Sequence, residues 1–231
     1  MKKIIAFIAL LSAAAAFGQG TINFGNSTLV FNGDTSKLLH WADGTQPGVV
    51  LNPGLTGFPA ASFGLVAGEL VSSNLFPSLR AQLYWGASTA TSFSQLTAIT
   101  GPPASFRSTT SPNGGAWNGG ERTVDDWVHD THQELAVIVW DSNKASDGLV
   151  ALGELAQGSY SGLYGQSALF DYYVPGIINP PGGELMVNMS AFNVAYYDTI
   201  PEPHTFALIA FGSGIIAVMS KTQKGKEGRP G

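Results

Sequence analysis

Between residues 19 and 199 no window holds a 3.6-residue apolar period for three turns, which excludes a fold built mainly from amphipathic helices. Short runs with alternation or β-rich composition take its place. Thr21-Ile22-Asn23-Phe24 alternates, and in Ala81-Gln82-Leu83-Tyr84-Trp85 the residues Ala81, Leu83 and Trp85 share one face. Leu135-Ala136-Val137-Ile138-Val139-Trp140 is apolar without a break, the pattern of a strand covered on both faces. Ala168-Leu169-Phe170, Tyr172-Tyr173-Val174 and Phe192-Asn193-Val194-Ala195-Tyr196-Tyr197 are further strand candidates. Between these runs fall Asn32-Gly33, Asp43-Gly44, Asn113-Gly114, Asn118-Gly119 and Asp147-Gly148, dipeptides that accept the positive φ of tight turns. The nearest approach to helical spacing, Phe93, Leu96 and Ile99, is cut off by Gly101-Pro102-Pro103. Residues 49–67, rich in glycine and proline, are expected to form a long surface loop or irregular edge. The expected body is all-β, a β-sandwich of jelly-roll or immunoglobulin-like type.

Composition matters here for where it is concentrated. Residues 4–17 and 206–219 hold 24 of the apolar residues, leaving the region between them leaner. Residues 19–199 carry five basic and fourteen acidic side chains, a net of −9 against −5 for the whole chain. Six of the eleven basic residues therefore sit at the two ends. An acidic body with so few cations has no counterion-releasing surface for phosphates, so nucleic acid is not an expected partner. The chain has no cysteine, which removes thiol catalysis, thiolate metal sites and iron–sulfur clusters. Nothing in it points to a cofactor.

Lys2 and Lys3 precede the apolar residues 4–17, and small residues precede Gln19. That order reads as a signal peptide, residues 1–18, removed on export. Fourteen helical residues reach about 21 Å, short of the roughly 30 Å hydrocarbon layer. At the other end Pro201-Glu202-Pro203 precedes the apolar run 206–219 and the cations Lys221, Lys224, Lys226 and Arg229. The two prolines fix φ and keep that stretch extended. A single transmembrane helix is expected at about 205–220, with the tail 221–231 held on the cytoplasmic face.

The succession of Pro-Glu-Pro, short apolar helix and basic tail resembles the PEP-CTERM sorting signal of exported bacterial proteins. The resemblance implies that residues 200–231 are recognised by the membrane transpeptidase exosortase, which cuts near Pro201, Glu202 and Pro203 and passes the body to an envelope or extracellular-matrix acceptor. The tail here is longer and richer in lysine than the compact arginine-rich tail of that family. The body resembles the verrucomicrobial type of these proteins in Ala81-Gln82-Leu83-Tyr84-Trp85-Gly86, Phe106-Arg107, Trp117-Asn118-Gly119-Gly120, Arg122-Thr123-Val124, residues 137–141, Tyr164-Gly165-Gln166-Ser167 and Phe170. That group has no assigned catalytic residues, so none carries over.

Several constellations in the body invite chemistry. Asp130, His132 and Glu134 would project from one face of an extended strand, a weak candidate set for a divalent metal; the plainer reading is a solvated loop. Asp141-Ser142-Asn143-Lys144-Ala145-Ser146-Asp147-Gly148 fails as a calcium loop because position six is Ser146 and position twelve is Leu152, and it is expected to form a polar hairpin turn. No G-x-S-x-G elbow occurs in the body. Among five tryptophans, Trp85 and Trp140 lie in strands and are expected in the core. Trp41, Trp117 and Trp127 lie by turns and are the candidates for stacking on sugar rings.

The reading is thus a non-enzymatic exported protein of the cell envelope or extracellular matrix. It is handled by signal peptidase and exosortase, and anchored in the membrane until its C-terminus is processed. The alternatives are a carbohydrate-binding module of the extracellular polysaccharide matrix and a polysaccharide-active hydrolase, the latter requiring two carboxylates facing each other across a cleft.

Overall fold

The computed structural model describes residues 20–28, 31, 34–46, 49, 55–108, 114–175 and 184–199, with nothing stated of the side chains at 55, 184 and 199. The expected signal peptide, sorting motif, membrane helix and basic tail all lie outside these residues, as do Asn32-Gly33 and Asn113. The chain divides into a unit that ends at Thr199 and a second of residues 200–231. Among the described residues no helix is long and apolar enough to cross a membrane.

The described residues are mostly β and form two sheets. The smaller contains β1 (Gly20–Gly25) at its centre, parallel to the short β11 (Glu184–Leu185) and antiparallel to β7 (Asn118–Val124). The larger runs β2 (His40–Trp41), β12 (Asn193–Thr199), β9 (Gly162–Gln166), β8 (Thr131–Asp141), β4 (Leu79–Ala87), β5 (Thr97–Ala98). Short strands share edges with the long ones. β10 (Phe170–Val174) pairs with the first half of β8 and β9 with its second half, while β4 pairs along the opposite side. β3 (Leu55–Phe58) joins β12, and β6 (Ala104–Ser105) joins β4.

The apolar run in β8 organises the packing, because its alternate residues enter two different cores. Leu135, Val137 and Val139 join Leu79, Ala81 and Leu83 of β4 and Ile22, Phe24 and Val124 of the smaller sheet. Ala136, Ile138 and Trp140 face the other way, onto Tyr84, Tyr160, Tyr164 and Tyr197. The expectation of a strand covered on both faces holds.

What covers the second face is a helix, α1 (Gly148–Gln157), which corrects the hairpin turn expected at Asp141 to Gly148. Asp147 caps it, its Oδ1 accepting from the backbone N–H groups of Leu149 at 2.8 Å and Val150 at 3.0 Å. Ala151 and Leu155, one turn apart, carry its buried side. Gly148 is required by close approach, since a Cβ there would lie 2.8 Å from Ile138 Cγ2 and from the Tyr84 hydroxyl.

Other expectations are met in altered form. Phe93, Ser94 and Gln95 make a single 3-10 turn, after which the chain becomes β5. In residues 49–67 the described part adds β3 to a sheet edge and then a 3-10 turn, Ala60–Phe63, with Ala60 and Leu65 buried. Gly44 turns with φ 68°, as its dipeptide predicts. Asn118-Gly119 lies within β7, at the register shift opposite Phe24 and Gly25.

Candidate functional site

The tryptophans expected at the surface are in the core. Trp41, Trp117 and Trp127 are at most 2% exposed, so none can receive a sugar ring. Trp117 is enclosed by Phe24 at 5.7 Å, Phe106 at 5.8 Å and Phe192 at 6.4 Å between ring centroids. Its backbone N–H donates to Asn26 Oδ1 at 2.7 Å. Trp41 packs edge-on against Phe76, and Trp127 lies between Trp85 and Tyr172. The turns that carry these residues fold over the sheets and deliver their largest side chains inward, since burying an indole removes some 150–250 Å² from water.

Trp85 is the tryptophan that keeps an exposed portion; Trp140 is 1% exposed. It sits near the end of β4, on the face shared with Ala81 and Leu83, where the core between the sheets opens. A cleft of about 400 Å³ lies there, bounded by Trp85, Thr97, Thr100, Thr123, Asp125 and Asp126. The large sheet contributes Trp85 and Thr97. The small sheet contributes Thr123, and the turn after β7 contributes the two aspartates.

Each wall is anchored from behind. The Trp85 ring meets the buried Trp127 ring edge-on, with centroids 5.9 Å apart and planes at 80°. The loop carrying Thr97 and Thr100 is tied to β4: the Ile99 N–H donates to the Leu83 carbonyl at 2.9 Å, and Gln82 Nε2 donates to the Ile99 carbonyl at 2.7 Å. Leu96 and Ile99 are buried beneath it. Thr123 is held opposite Thr21 by the β1–β7 ladder, and the turn after it closes through the Trp127 N–H to the Val124 carbonyl at 3.3 Å.

The set Asp130, His132 and Glu134 does not assemble as alternation predicts. Asp130 has φ 59°, so β8 begins only at Thr131, and its Oδ1 accepts from the Tyr173 hydroxyl at 2.7 Å. His132 instead donates from Nδ1 to the two Asp171 oxygens, at 2.7 and 2.9 Å. Glu134 lies directly across from Asp171 on β10. Partial desolvation and then the Asp171 charge raise its carboxyl above the usual range. Among the described residues no group of three His, Asp or Glu side chains is placed to hold a metal ion. His129 is similarly engaged, its Nδ1–H donating to the Pro175 carbonyl at 2.7 Å.

Two smaller hollows also lie on the described residues. One of about 300 Å³ lies between β10 and β11, lined by Tyr172, Tyr173, Met186 and Asn188. Another of about 230 Å³ is lined by Gln46, Gln166, Phe192 and Asn193.

Alternation along β4 places Trp85 on the core face, where it is only partly buried. The missing signal is long-range: which residue of β4 lies beyond the last covering strand depends on where β7 stops, and no local pattern encodes that. The comparisons add no family, since no family model, curated protein or solved structure matches the chain.

Proposed function

We propose that this chain is an exported, non-enzymatic protein of the cell envelope or extracellular matrix, delivered by residues 1–18 and sorted by a PEP-CTERM signal in residues 200–231. The observation that carries this reading is an order of segments. Pro201-Glu202-Pro203 is followed by the apolar run 206–219 and then by Lys221, Lys224, Lys226 and Arg229, in a chain that starts with a basic and then an apolar stretch. Signal peptidase removes the first segment. The apolar run holds the chain in the membrane while exosortase cleaves near the motif and transfers the body to its acceptor.

The architecture of the body is compatible with such processing. Strand β12 ends at Thr199, ahead of the motif, so cleavage at or after Pro201 leaves that strand whole. β12 bonds to β9 on one side and to β2 and β3 on the other, which makes it integral to the larger sheet. One core cluster shared by both sheets supports reading the body as a β-sandwich, with α1 laid on its outer face.

Intact-mass measurement of the protein from cells that contain exosortase tests the reading. The expected mature species lacks the residues before Gln19 and ends near the motif. A species still ending at Gly231 would overturn the sorting assignment. Replacing Pro201, Glu202 and Pro203 together by alanine is expected to leave the chain in the membrane fraction with its C-terminus intact.

A further inference from the structure

We propose that the cleft beside Trp85 binds uncharged sugar units of a polysaccharide. The inference concerns what the folded body recognises and does not depend on how residues 200–231 are processed. At about 400 Å³ the cleft falls within the range of roughly 300–1,000 Å³ typical of small-ligand sites. Its lining combines an indole with three threonine hydroxyls and two carboxylates. A pyranose needs that combination: one apolar ring face to lie against an aromatic, and a rim of hydroxyls that both donate and accept.

The class of sugar follows from charge. The cleft presents Asp125 and Asp126 as hydrogen-bond acceptors. Arg122, the neighbouring cation on β7, is turned away: its Nη2 donates to the Pro102 carbonyl at 2.7 Å, and its guanidinium lies 5.8 Å from the centre of the Phe24 ring. A uronate or sulfated sugar would bring a third negative charge beside two carboxylates in a body of net charge −9. Neutral hexoses and N-acetylated amino sugars bring no charge, and their hydroxyl and amide donors are what the carboxylates accept.

Rigidity is the second support. Trp85 is braced by Trp127, and the threonine loop is fixed through Ile99 and Gln82, so binding need not order the walls first. The position is also open. Thr97, Thr100, Thr123, Asp125 and Asp126 are all exposed, so the cleft is open to solvent.

The test is titration of the purified full-length chain with cellotetraose, laminaritetraose and N,N′,N″,N‴-tetraacetylchitotetraose, with an alginate oligomer as the acidic comparison, read by calorimetry and tryptophan fluorescence. At least one neutral oligosaccharide is expected to bind, with a fluorescence change that disappears in Trp85→Phe. Trp85→Ala is expected to weaken binding by about tenfold, the loss of one aromatic stacking contact. Because Trp85 also packs on Trp127, the double variant Asp125→Asn, Asp126→Asn serves as the check that leaves the core untouched, and several-fold weaker binding is expected. The proposal falls if none of the three neutral oligosaccharides binds, if alginate binds as tightly as they do, or if binding survives unchanged in folded Trp85→Ala and in the aspartate double variant.

Discussion

Along residues 135–140 of β8 the two faces of the larger sheet are both covered, yet they are held by different physics. Toward the smaller sheet the contacts are aliphatic and indole surface: Leu79, Leu83, Leu135, Val137 and Val139 against Ile22, Phe24, Trp117 and Trp127. The indole N–H groups of Trp117 and Trp127 are buried with no hydrogen-bond partner among the described residues. Toward α1 the large side chains are tyrosines, and their hydroxyls fasten the layer. Tyr84 accepts from the Gly148 N–H at 3.0 Å, Tyr197 accepts from the Gln46 N–H at 3.1 Å, Tyr160 donates to the Leu163 carbonyl at 2.7 Å and Tyr164 donates to Gln166 Oε1 at 2.7 Å. Trp140, on this side, donates its Nε1–H to the Ala145 carbonyl at 3.0 Å. A non-directional core tolerates sliding and is broken by loss of volume, whereas a hydrogen-bonded layer is broken by loss of one atom.

The largest effect is expected from removing volume on the first face. Trp117→Ala should cost about 3–5 kcal/mol, since it empties a site closed by three phenylalanine rings. Chemical denaturation should show one lower midpoint with both layers lost together. If the α1 layer melted while the inter-sheet core persisted, the assignment of Trp117 to the principal core would fail.

Alkaline pH should strike the other face. Burial first of all raises the hydroxyl pKa of Tyr84, Tyr160, Tyr164 and Tyr197, with Tyr197 pushed up to about 12 from 10. The folded chain therefore retains these protons more tightly than the unfolded chain. Their contribution is complete below pH 10 and is withdrawn as pH rises toward 12 and beyond. For Tyr197 alone the difference amounts to about 2–3 kcal/mol. The exposed Tyr173 hydroxyl is itself raised by its bond to Asp130, and phenolate absorbance of Tyr84, Tyr160, Tyr164 and Tyr197 should appear together with unfolding. Smooth titration of Tyr84, Tyr160, Tyr164 and Tyr197 without unfolding would contradict the layer described.

Tyr84→Phe isolates a single latch. It keeps the ring and removes the acceptor for the Gly148 N–H at the start of α1, at an expected cost of about 1–3 kcal/mol. Amide exchange should accelerate at residues 148–151 more than in β8. Uniform acceleration across both would show that α1 and the sheet open as one unit.

The same contrast explains what could be read in advance. The run 135–140 announced a doubly covered strand because both of its periodic faces are apolar, a property local to six residues. The helix beside it left no comparable trace. Its fully buried side chains are Ala151 and Leu155, and its first residue is a glycine selected by a 2.8 Å approach to Ile138 and to Tyr84, the latter far away in the chain. Asp147-Gly148 therefore reads as a turn although its aspartate is a helix cap. Trp140 is in the core as its strand position predicts and Trp85 packs against the core in part, whereas the three tryptophans placed by turns are not where those turns suggested. Nearness to a turn says nothing about which way the turn folds, so Trp41, Trp117 and Trp127 are buried. Strand alternation assigns a face but not the place where the opposing layer ends, so Trp85 borders a cleft.

The smallest expected effect lies on the exposed face of the β8–β10 pairing, opposite the face by which Leu135, Phe170, Tyr172 and Val174 enter the core. Glu134 stands directly across from Asp171, and like charges opposite one another weaken a sheet. The His132 ring, which donates to Asp171, offsets part of that repulsion, but the pair is 55% and 46% exposed and solvent screens it. Glu134 has its carboxyl pKa raised above 4.5, first by desolvation and then by Asp171. The folded state thus favours the protonated form, so what Glu134 contributes is complete at pH below about 4.5 and is lost as pH rises through its folded value. Glu134→Gln removes the charge and should stabilise the protein near neutral pH by a few tenths of a kcal/mol after allowance for screening. At pH 4 or below the gain should vanish, because the wild-type carboxyl is then protonated too. Parallel thermal melts of the two proteins at pH 7 and pH 4 measure the difference. A gain that is equal at both values would assign the effect to side-chain packing and not to the charge facing Asp171.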